Sequence, residues 1–405
     1  MKILVFSHRL EIGGTQVNAI EIASGLRDFH GHDVVLFATP GPMVRFAKEK
    51  GLRFIPAPDS YLHPSLARMR ALLGVVRREK PDLLHVWDWW QVIDAFYAVH
   101  LVKRVPMVVS DMMMDLTRIL PKYVPTTFGI PALVEQARRS GRRHVDLLTP
   151  PVDVAINAPS AVDSRPFIEQ FELRDDQINI VTVSRLATHL KGESLVRSIE
   201  AVRHLGREFP LRLLIVGEGA ARAELEQLAR QANAELGRAA VVLTGALLDP
   251  RAAYAAASIV IGMGGSSLRG LAFAKPLIVV GEGGFAEIFD ATTAEMFYHR
   301  GMYGRGRGDA DSERLTQCVR KLVDGSTALP ELGQFGRRFV VERFSLQTTC
   351  ERFAGFCDFA VTNRPSLPLA GLDGLRTAAI YLRERRFLTP SRDREPRDEV
   401  ADALT

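Results

Sequence analysis

The stretch INIVTVSRLATHLKGESLVRSIEAV, residues 178–202, decides the fold of the second half of this chain. An apolar run typical of a buried strand ends at Arg185, a short polar loop follows, and apolar residues then recur at helical spacing from Gly192 onward. The same succession returns at LRLLIVGEG (211–219), AVVLTG (240–245), SIVIGMG (258–264) and PLIVVGEGG (276–284). Strands that alternate with helices predict a parallel sheet covered by helices.

The first half of the chain repeats this rhythm. Strand-like runs occur at KILVFS (2–7), DVVLFA (33–38), RFIPA (53–57), DLLHVW (82–87) and VPMVV (105–109). We therefore expect an N-terminal Rossmann-like domain over 1–155, a linker over 156–176 and a C-terminal Rossmann-like domain over 177–345. A helix over 346–362 would close the C-terminal domain, and 363–405 would form a basic, partly disordered tail.

Composition narrows the class of protein. The chain has 405 residues, 47% hydrophobic and 24% charged, which is the balance of a soluble two-domain enzyme. No segment reaches the roughly 20 apolar residues that span a bilayer, and the N-terminal apolar run is short for a signal peptide, so we expect a cytoplasmic protein. Cys318, Cys350 and Cys357 lack the spacing of a zinc site, which predicts reduced core thiols and no bound metal.

Two cations and two glycines are the first candidate ligand-binding residues. Arg185 ends a strand and Lys191 precedes a helix, at the sheet edge where open α/β sheets bind ligands, so the pair would neutralise a diphosphate. Solvated surface cations are the alternative. Gly13 and Gly14 stand before the first helix, where backbone amides approach anions; a tight turn with positive φ is the alternative.

These segments follow one another in the order of the family 4 glycosyltransferases, which the chain resembles over roughly residues 1–355. The resemblance implies the GT-B fold, an α/β architecture of two Rossmann-like doubly wound domains that face each other across a cleft. It also implies a retaining sugar transfer that needs neither metal nor cofactor. Arg185 and Lys191 match the family's diphosphate clamp, and Gly13 with Gly14 matches its first-domain phosphate loop.

The resemblance also assigns the nucleotide end of the donor. Thr244 and Gly245 fall where the family passes backbone beside the nucleotide base, although a buried strand end would have the same sequence. Gly264 belongs to a GMG segment that matches the family's GFG loop. We therefore expect these three residues near the donor.

The chain departs from the family at two glutamates that the family separates by seven residues. Aligning LRGLAFAKP (268–276) puts Ile261 at the first, near the transferred sugar, and Arg269 at the second, on the ribose hydroxyls. A guanidinium cannot accept hydroxyl protons. Arg269, with Ser266 and Ser267, would instead contact a phosphate or carboxylate of an unusual donor. A salt bridge from Arg269 to Glu282 or Glu287 is the alternative.

A third departure follows VPMVV, where the family often places a histidine beside the donor sugar. This chain reads SDMMMD (110–115), with Met112 nearest to that position. Asp111 would take over a hydrogen bond to a sugar hydroxyl, which makes it a candidate catalytic residue. The three methionines fit either adaptable packing for a hydrophobic acceptor or an ordinary core cluster.

All three tryptophans lie in PDLLHVWDWWQ (81–91), which predicts an acceptor site. We expect His85 to end a strand at the carboxyl edge, with Trp87, Asp88, Trp89 and Trp90 following it. Aromatic faces and carboxylates suit sugars, whereas tryptophans more often pack in cores or interfaces.

Two basic stretches raise the question of a membrane partner. LARMRALLGVVRREK (66–80) and ARRSGRR (137–143) would suit peripheral attachment to anionic lipid at the inner face of a membrane, with solvated helix faces as the alternative. The modest charge of +5 and the lack of an aromatic-basic motif argue against nucleic acid.

The preferred hypothesis is a retaining glycosyltransferase that takes a nucleotide-sugar donor and a hydroxyl-bearing acceptor. The absence of both glutamates motivates an alternative, a catalytically inactive GT-B homologue that acts as a binding or partner subunit. A nucleotide-sugar epimerase or a dinucleotide-dependent oxidoreductase is a further alternative, although neither the GEG nor the GMG loop completes GxGxxG.

Overall fold

A computed structural model describes residues 1–60, 64–188, 191–308 and 313–387 of the chain. The chain divides into two compact units. Of the described residues, the first comprises Met1–Pro151 and the segment from Leu346 to Phe387, and the second comprises Val152–Ser345. Each unit contains one sheet with helices on both faces, which confirms the expected pair of Rossmann-like domains of the GT-B fold.

The first unit has a parallel sheet of seven strands in the order β3-β2-β1-β4-β5-β6-β7. Its strands are β1 (Lys2–Phe6), β2 (Asp33–Ala38), β3 (Arg53–Pro56), β4 (Leu83–Trp87), β5 (Met107–Asp111), β6 (Thr126–Phe128) and β7 (Val145–Leu147). The strand order reverses between β1 and β4, and such a reversal is where open parallel sheets bind ligands.

The helices of the first unit lie on both faces of this sheet. They are α1 (Gly14–His30), α2 (Val44–Glu49), α3 (Leu66–Glu79), α4 (Trp89–Ala95), a π-helical turn (Phe96–His100), α5 (Leu101–Lys103), α6 (Pro131–Arg139), α15 (Leu346–Thr362) and α16 (Leu367–Phe387). Alternate residues of β1 point to opposite faces, so Ile3 and Val5 pack with α1 and α15, whereas Leu4 and Phe6 pack with α3 and α4.

The second unit has six strands in the order β10-β9-β8-β11-β12-β13. They are β8 (Ile178–Val183), β9 (Leu211–Val216), β10 (Val241–Gly245), β11 (Ile259–Gly262), β12 (Leu277–Val280) and β13 (Ala286–Ile288). All neighbours are parallel except β12 and β13. The antiparallel edge strand was not expected from the sequence, and it arises because the chain turns back tightly after Gly281, where Gly283 and Gly284 adopt positive φ.

The helices of the second unit are α7 (Arg165–Gln170), α8 (Gly192–Leu205), α9 (Arg222–Leu236), α10 (Arg251–Ala256), α11 (Gly265–Ala272), α12 (Ala294–Arg300), α13 (Arg314–Val323) and α14 (Leu329–Phe344). Helices α8, α9 and α13 contribute to a hydrophobic cluster with Ile180 and Ile215, and α11 and α14 contribute to another with Val181 and Val216.

The ends of the two units differ from the expected boundaries. The segment expected as a linker, 156–176, contains α7 and buries Phe167 and Leu173 in a core cluster of the second unit. Helix α15 packs against α1 in the first unit and does not close the C-terminal sheet, because its apolar face supplies Phe353 and Cys357 to the first unit's core.

Helix α16 spans Leu367–Phe387 within the segment expected as a basic, partly disordered tail. Residues 388–405 lie outside the described residues. All three cysteines are free and buried, as expected for core thiols. Among the helices that the structure describes, none is long and apolar enough to cross a membrane.

Candidate functional site

Arg185 and Lys191 lie at the carboxyl edge of the second unit's sheet. Arg185 follows β8 and is exposed, while Lys191 directly precedes α8 and is partly buried. Burial, and then the charge of Arg185, lower the pKa of Lys191. In the described residues, no carboxylate lies within 4 Å of the Lys191 ammonium. The two cations predicted to form a diphosphate clamp are therefore neighbours.

A glycine loop after β9 holds the backbone on both sides of Arg185. Gly217 and Gly219 both have φ of 151°, and a Cβ on them would lie 1.8 Å from the Ser184 carbonyl oxygen and 2.6 Å from that of Leu186. The amide of Leu186 also donates to the carbonyl of Glu218 at 2.9 Å. Only glycine permits this close approach, so the loop fixes the residues that flank Arg185.

The loop between β11 and α11 lies on the other side of the strand-order reversal between β8 and β11. Gly264 has φ of 59° and precedes the helix, which lacks a side-chain cap. The Ser266 hydroxyl donates to the Met263 carbonyl at 3.0 Å. Ser267 is fully buried, and its hydroxyl has no hydrogen-bond partner among the described residues.

The Arg269 guanidinium folds back toward the N-terminal turn of α11. A Cβ on Gly265 would lie 3.3 Å from Nη1 of Arg269. The charge of Arg269 also lowers the pKa of Tyr254, whose burial raises it more strongly. Arg269 thus places a positive charge where helix amides already favour an anion.

The alternative interpretation of Arg269 is a salt bridge to Glu282 or Glu287. Glu282 accepts hydrogen bonds from Tyr303 at 2.5 Å and from Arg305 at 2.8 Å, and Glu287 accepts one from Arg314 at 2.7 Å. Both carboxylates are therefore engaged by other arginines. Ile261 is buried in β11 as a core residue.

Thr244 and Gly245 end β10. Gly245 has φ of 83°, which glycine tolerates best, and Thr244 donates to the carbonyl of Gly245 at 3.0 Å. Both residues are half-buried, so the strand end is neither fully exposed nor enclosed.

In the first unit, Gly13 and Gly14 lie at the N-terminus of α1, next to the carboxyl end of β1. Gly13 is extended, with φ of −170°, so the alternative of a turn that needs positive φ does not apply to it. No atom lies within 4 Å of where a Cβ on Gly14 would be. The backbone does not require glycine at Gly13, and neither backbone nor packing requires it at Gly14 within the described chain.

The structure corrects the expected acceptor platform. His85 does not end its strand but lies in the middle of β4, fully buried, and its Nε2 is 2.8 Å from the Ser110 hydroxyl. Burial lowers the pKa of His85 to about 3. Trp87 is also fully buried and packs against the His85 ring. Both are core residues on the face of the sheet that α1 and α15 cover, where the Phe353 ring lies 4.5 Å from that of His85.

Asp88 and Asp111 are the residues that do reach the carboxyl edge. Asp88 follows β4 and Asp111 ends β5, and the two strands are adjacent. Burial raises the pKa of each carboxyl to about 6, and the charge of Asp88 adds to the rise at Asp111. Asp111 Oδ2 is buried without a hydrogen-bond partner among the described residues. Trp89 and Trp90, which directly follow Asp88, are half-buried and stack on each other.

Sequence reasoning missed His8, which follows β1 on the same edge. Its Nδ1 lies 3.4 Å from Oδ2 of Asp88, and burial lowers its pKa to about 4. The signal was present, since a histidine directly after the first strand must fall beside residues that follow the adjacent strand β4.

The basic stretches are only partly the surface patches that the sequence suggested. Arg68 is buried and forms an ion pair with Asp94 at 2.8 Å. Arg142 is buried and donates to the carbonyls of Leu120 and Pro121. Helical periodicity cannot distinguish such buried arginines from the exposed ones around them.

Comparison with known protein families finds two matches. The model described as Glycosyltransferase Family 4 matches residues 12–116, and the model described as Glycosyl transferases group 1 matches residues 177–324. A comparison with curated proteins finds no significant match.

Solved structures share the fold. A glycosyltransferase from Rickettsia africae has a TM-score of 0.71 and 14% identity, covering 89% of this chain and 99% of its own. Anabaena Alr3699/HepE in complex with UDP has a TM-score of 0.68 and 16% identity, covering 89% and 100%. UDP-GlcNAc 2-epimerase from Neisseria meningitidis, bound to UDP-GlcNAc, has 0.58 and 11%, covering 88% and 99%.

Transferases and an epimerase thus share this architecture, so the fold alone does not decide the activity. The two family matches do, since both name glycosyl transfer and together they span parts of both units. The chain is a family 4-like glycosyltransferase with a two-domain GT-B fold.

Proposed function

We propose that the protein transfers a sugar, with retention of configuration and without a metal ion, from a nucleotide-diphosphate donor to a hydroxyl-bearing acceptor. The observation that carries the proposal is the pair Arg185 and Lys191. Two neighbouring cations, one of them partly buried and without a carboxylate within 4 Å in the described residues, favour a ligand with closely spaced negative charges. A diphosphate is such a ligand.

The chemistry follows from where charge develops. As the bond between the anomeric carbon and the diphosphate oxygen breaks, negative charge grows on the leaving group, and Arg185 and Lys191 would stabilise it. The acceptor hydroxyl forms the new bond from the same face, and its proton passes to the leaving diphosphate. The products are the glycoside and the nucleoside diphosphate. Positioning and electrostatics supply the rate enhancement in this scheme.

The remaining donor contacts are assigned to the carboxyl edge of the second sheet. Thr244 and Gly245 would lie beside the base, and the α11 N-terminus with Gly264, Ser266 and Ser267 beside the sugar and ribose. Arg269 would meet an anionic group of the donor. The solved Anabaena structures with UDP and with UDP-glucose make uridine diphosphate the first donor nucleotide to test.

The acceptor side is assigned to the first unit. Asp88 and Asp111 are the carboxylates of its edge, and Gly13 with Gly14 would let the α1 amides approach a phosphate. His85 and Trp87 would act only through packing, since both are fully buried. Raised pKa values of Asp88 and Asp111 support this assignment, because perturbed carboxyl groups concentrate at functional sites.

We extend the proposal to a location inside the cell with peripheral attachment to anionic lipid. Helix α16 supports it, because five of its leucines are exposed: Leu367, Leu369, Leu372, Leu375 and Leu382. Apolar side chains on one helix, together with arginines in the same unit, are features of interfacial helices.

The proposal is tested by thermal shift with UDP, GDP, ADP and dTDP and their sugars, followed by turnover of whichever donor binds. Ligands that bind the folded state raise the melting temperature. We expect one nucleotide class to raise it in the wild type and not in Arg185→Ala or Lys191→Ala. The matched control is Arg230→Ala, which removes one exposed positive charge elsewhere in the second unit.

Turnover measurements test the retention of configuration and the metal independence of the transfer. Retention predicts that donor and product share the same anomeric configuration, read from the coupling constant of the anomeric proton, and a chelator should leave the rate unchanged. An inverted product would refute the retaining scheme. A protein that binds no nucleotide would contradict the whole proposal and favour the binding-subunit alternative.

A further inference from the structure

A cavity of about 730 Å³ lies in the first unit, beside the chain that follows β5. Four cations line it, Arg118, Lys122, Arg142 and Arg376, together with Thr117 and the single acid Asp115. Three come from the segment between β5 and β7, and Arg376 comes from α16. The cavity therefore has a strong excess of positive charge at its wall.

The cations of this cavity are poorly neutralised by the protein. Within the described ranges, only Arg376 has a carboxylate within 4 Å, that of Asp373 at 3.8 Å. Asp373 is itself occupied, because its two oxygens accept hydrogen bonds from the amides of Lys122 and Tyr123 at 2.7 and 2.8 Å. The charges of Asp373 and Asp111 offset part of that of Arg142, and the four cations still outnumber the acids around the cavity.

Arg142 is the buried member of this group of cations. It is only 5% exposed, and its guanidinium donates to the carbonyls of Leu120 and Pro121 at 2.7 and 2.8 Å. Burial, and next the charge of Arg376, lower its pKa to about 10. A buried guanidinium that has only neutral acceptors within hydrogen-bond distance is costly, and an anion bound beside it would offset that cost.

We propose that this cavity binds a phosphate ester group of the acceptor. Three guanidinium groups, an ammonium and the Thr117 hydroxyl line the cavity, and they are hydrogen-bond donors of the kind that bind phosphate oxygens. Thr117 also lowers the pKa of Asp111, so the cavity adjoins a carboxylate that we assign to the acceptor side. Phosphate binding by this cavity does not depend on the proposed function, whereas the assignment of the phosphate to the acceptor rests on it.

Most of this site lies outside the matched family segments. All its lining residues except Asp115 and Leu116 lie outside residues 12–116 and 177–324. The phosphate has two sources of the same chemistry, a soluble phosphate ester or the headgroup of a lipid. Helix α16 supplies Arg376 and also has exposed leucines, which would suit contact with a lipid surface. The lipid source is therefore tested in an experiment of its own.

The test uses the full-length chain with Arg185→Ala and Lys191→Ala in the background, so that the second unit's clamp does not contribute. Binding of inorganic phosphate is measured by calorimetry, with and without Arg118→Gln/Lys122→Gln. Among the described residues, neither of these side chains has a hydrogen bond or a carboxylate within 4 Å, so we expect both substitutions to spare the fold, whereas Arg142 donates to two carbonyls. Arg70→Gln/Arg77→Gln, on exposed positions of α3, removes the same charge and is the matched control.

We expect the cavity double variant to weaken phosphate binding by roughly tenfold or more, since a charge-assisted hydrogen bond contributes at least that factor. The α3 control should bind as the background protein does. Equal loss in both double variants would show a general charge effect and overturn the proposal. Unchanged binding in the cavity variant would overturn it as well.

The second arm measures sedimentation with phosphatidylcholine vesicles, with and without phosphatidylglycerol. Sedimentation that needs phosphatidylglycerol and is lost only in the cavity variant identifies a lipid headgroup, whereas phosphate binding without sedimentation identifies a soluble ester. Absence of both refutes the site. Failure of sugar transfer by the wild-type chain, with phosphate binding intact, would refute the proposed function without contradicting phosphate binding by the cavity.

Discussion

The Nδ1 atom of His8 lies 3.4 Å from Oδ2 of Asp88, and the two residues follow adjacent strands of one sheet. Asp88 has φ of 56° and ψ of 169°, a conformation that residues other than glycine rarely adopt. Its amide donates to the Ser110 carbonyl at 3.1 Å, which helps to hold the backbone there. The carboxylate is thus kept at the sheet edge at a cost in backbone strain.

Asp88→Gly is expected to stabilise the first unit while it impairs sugar transfer. Glycine relieves the strain and removes a partly buried carboxylate, which together should raise the free energy of unfolding by about 1 kcal/mol. Loss of the acceptor-side carboxylate should lower kcat by roughly 100-fold. All three tryptophans lie in the first unit, so urea unfolding followed by tryptophan fluorescence reports on that unit alone.

Lys80→Gly is the matched control for this substitution. Lys80 has φ of 48° after α3 and is exposed, so glycine relieves strain there without touching the candidate site. We expect a similar gain in stability with unchanged kcat. A loss of stability in Asp88→Gly, or full activity in it, would contradict the role assigned to Asp88.

Asp88→Asn should change how stability depends on pH. Burial raises the folded-state pKa of Asp88 to about 6, above the value of about 3.9 in the unfolded chain, so the native state takes up this proton first. The wild type therefore gains stability from Asp88 as the pH falls through 6. The variant lacks this gain, so its stability relative to wild type should fall by about 1 kcal/mol between pH 7 and pH 5.

The neighbouring histidines act in the opposite direction. Burial lowers the pKa of His8 to about 4 and that of His85 to about 3, so only the unfolded chain binds their protons near pH 5 to 6. They lower the stability of wild type and variant alike on acidification, which is why the difference between the two is measured. A difference that does not vary with pH would show that the Asp88 pKa is not raised.

The strand-helix rhythm predicted β1 to β5 and β8 to β12, since apolar runs such as INIVTV become strands with alternate residues on opposite faces. It did not predict β6, β7 and β13, which have only three residues each. It could not assign α15, because an apolar helix face fits either sheet and only its contact with α1 decides. His85 was misplaced because an apolar run does not reveal where a strand ends. Two further residues past it, through Trp87, belong to β4.

The sequence predicts site residues best where a charged side chain directly follows a strand or precedes a helix. Arg185 and Lys191 fall at a sheet edge by their place in the sequence, and the structure makes them neighbours. Arg142 could not be found in this way, because its burial depends on carbonyls of a loop some twenty residues earlier in the chain.

Asp94→Asn is expected to destabilise the first unit by roughly 3 kcal/mol, because it leaves the buried Arg68 guanidinium without its counter-ion. Asp94 also accepts the Ser65 amide at 2.8 Å. The control is Glu49→Gln in the exposed Arg45–Glu49 pair, which should cost no more than about 0.5 kcal/mol. Urea unfolding by tryptophan fluorescence measures both. Equal, small effects would show that the buried pair is not needed.

Arg269→Gln and Arg269→Glu are expected to weaken binding of the nucleotide-sugar donor in that order. The Arg269 guanidinium lies near Gly265 at the N-terminal turn of α11, where the unpartnered Ser267 hydroxyl is also buried. If this region binds an anion, neutralising the charge should raise the donor Kd by roughly tenfold and reversing it by more. Thermal shift with the donor identified by screening measures the change, with Arg230→Gln as the control.

Tighter binding in Arg269→Glu would show instead that the position faces ribose hydroxyls, because a carboxylate can accept their protons and a guanidinium cannot. Equal melting temperatures of the ligand-free variants would separate either result from a structural effect.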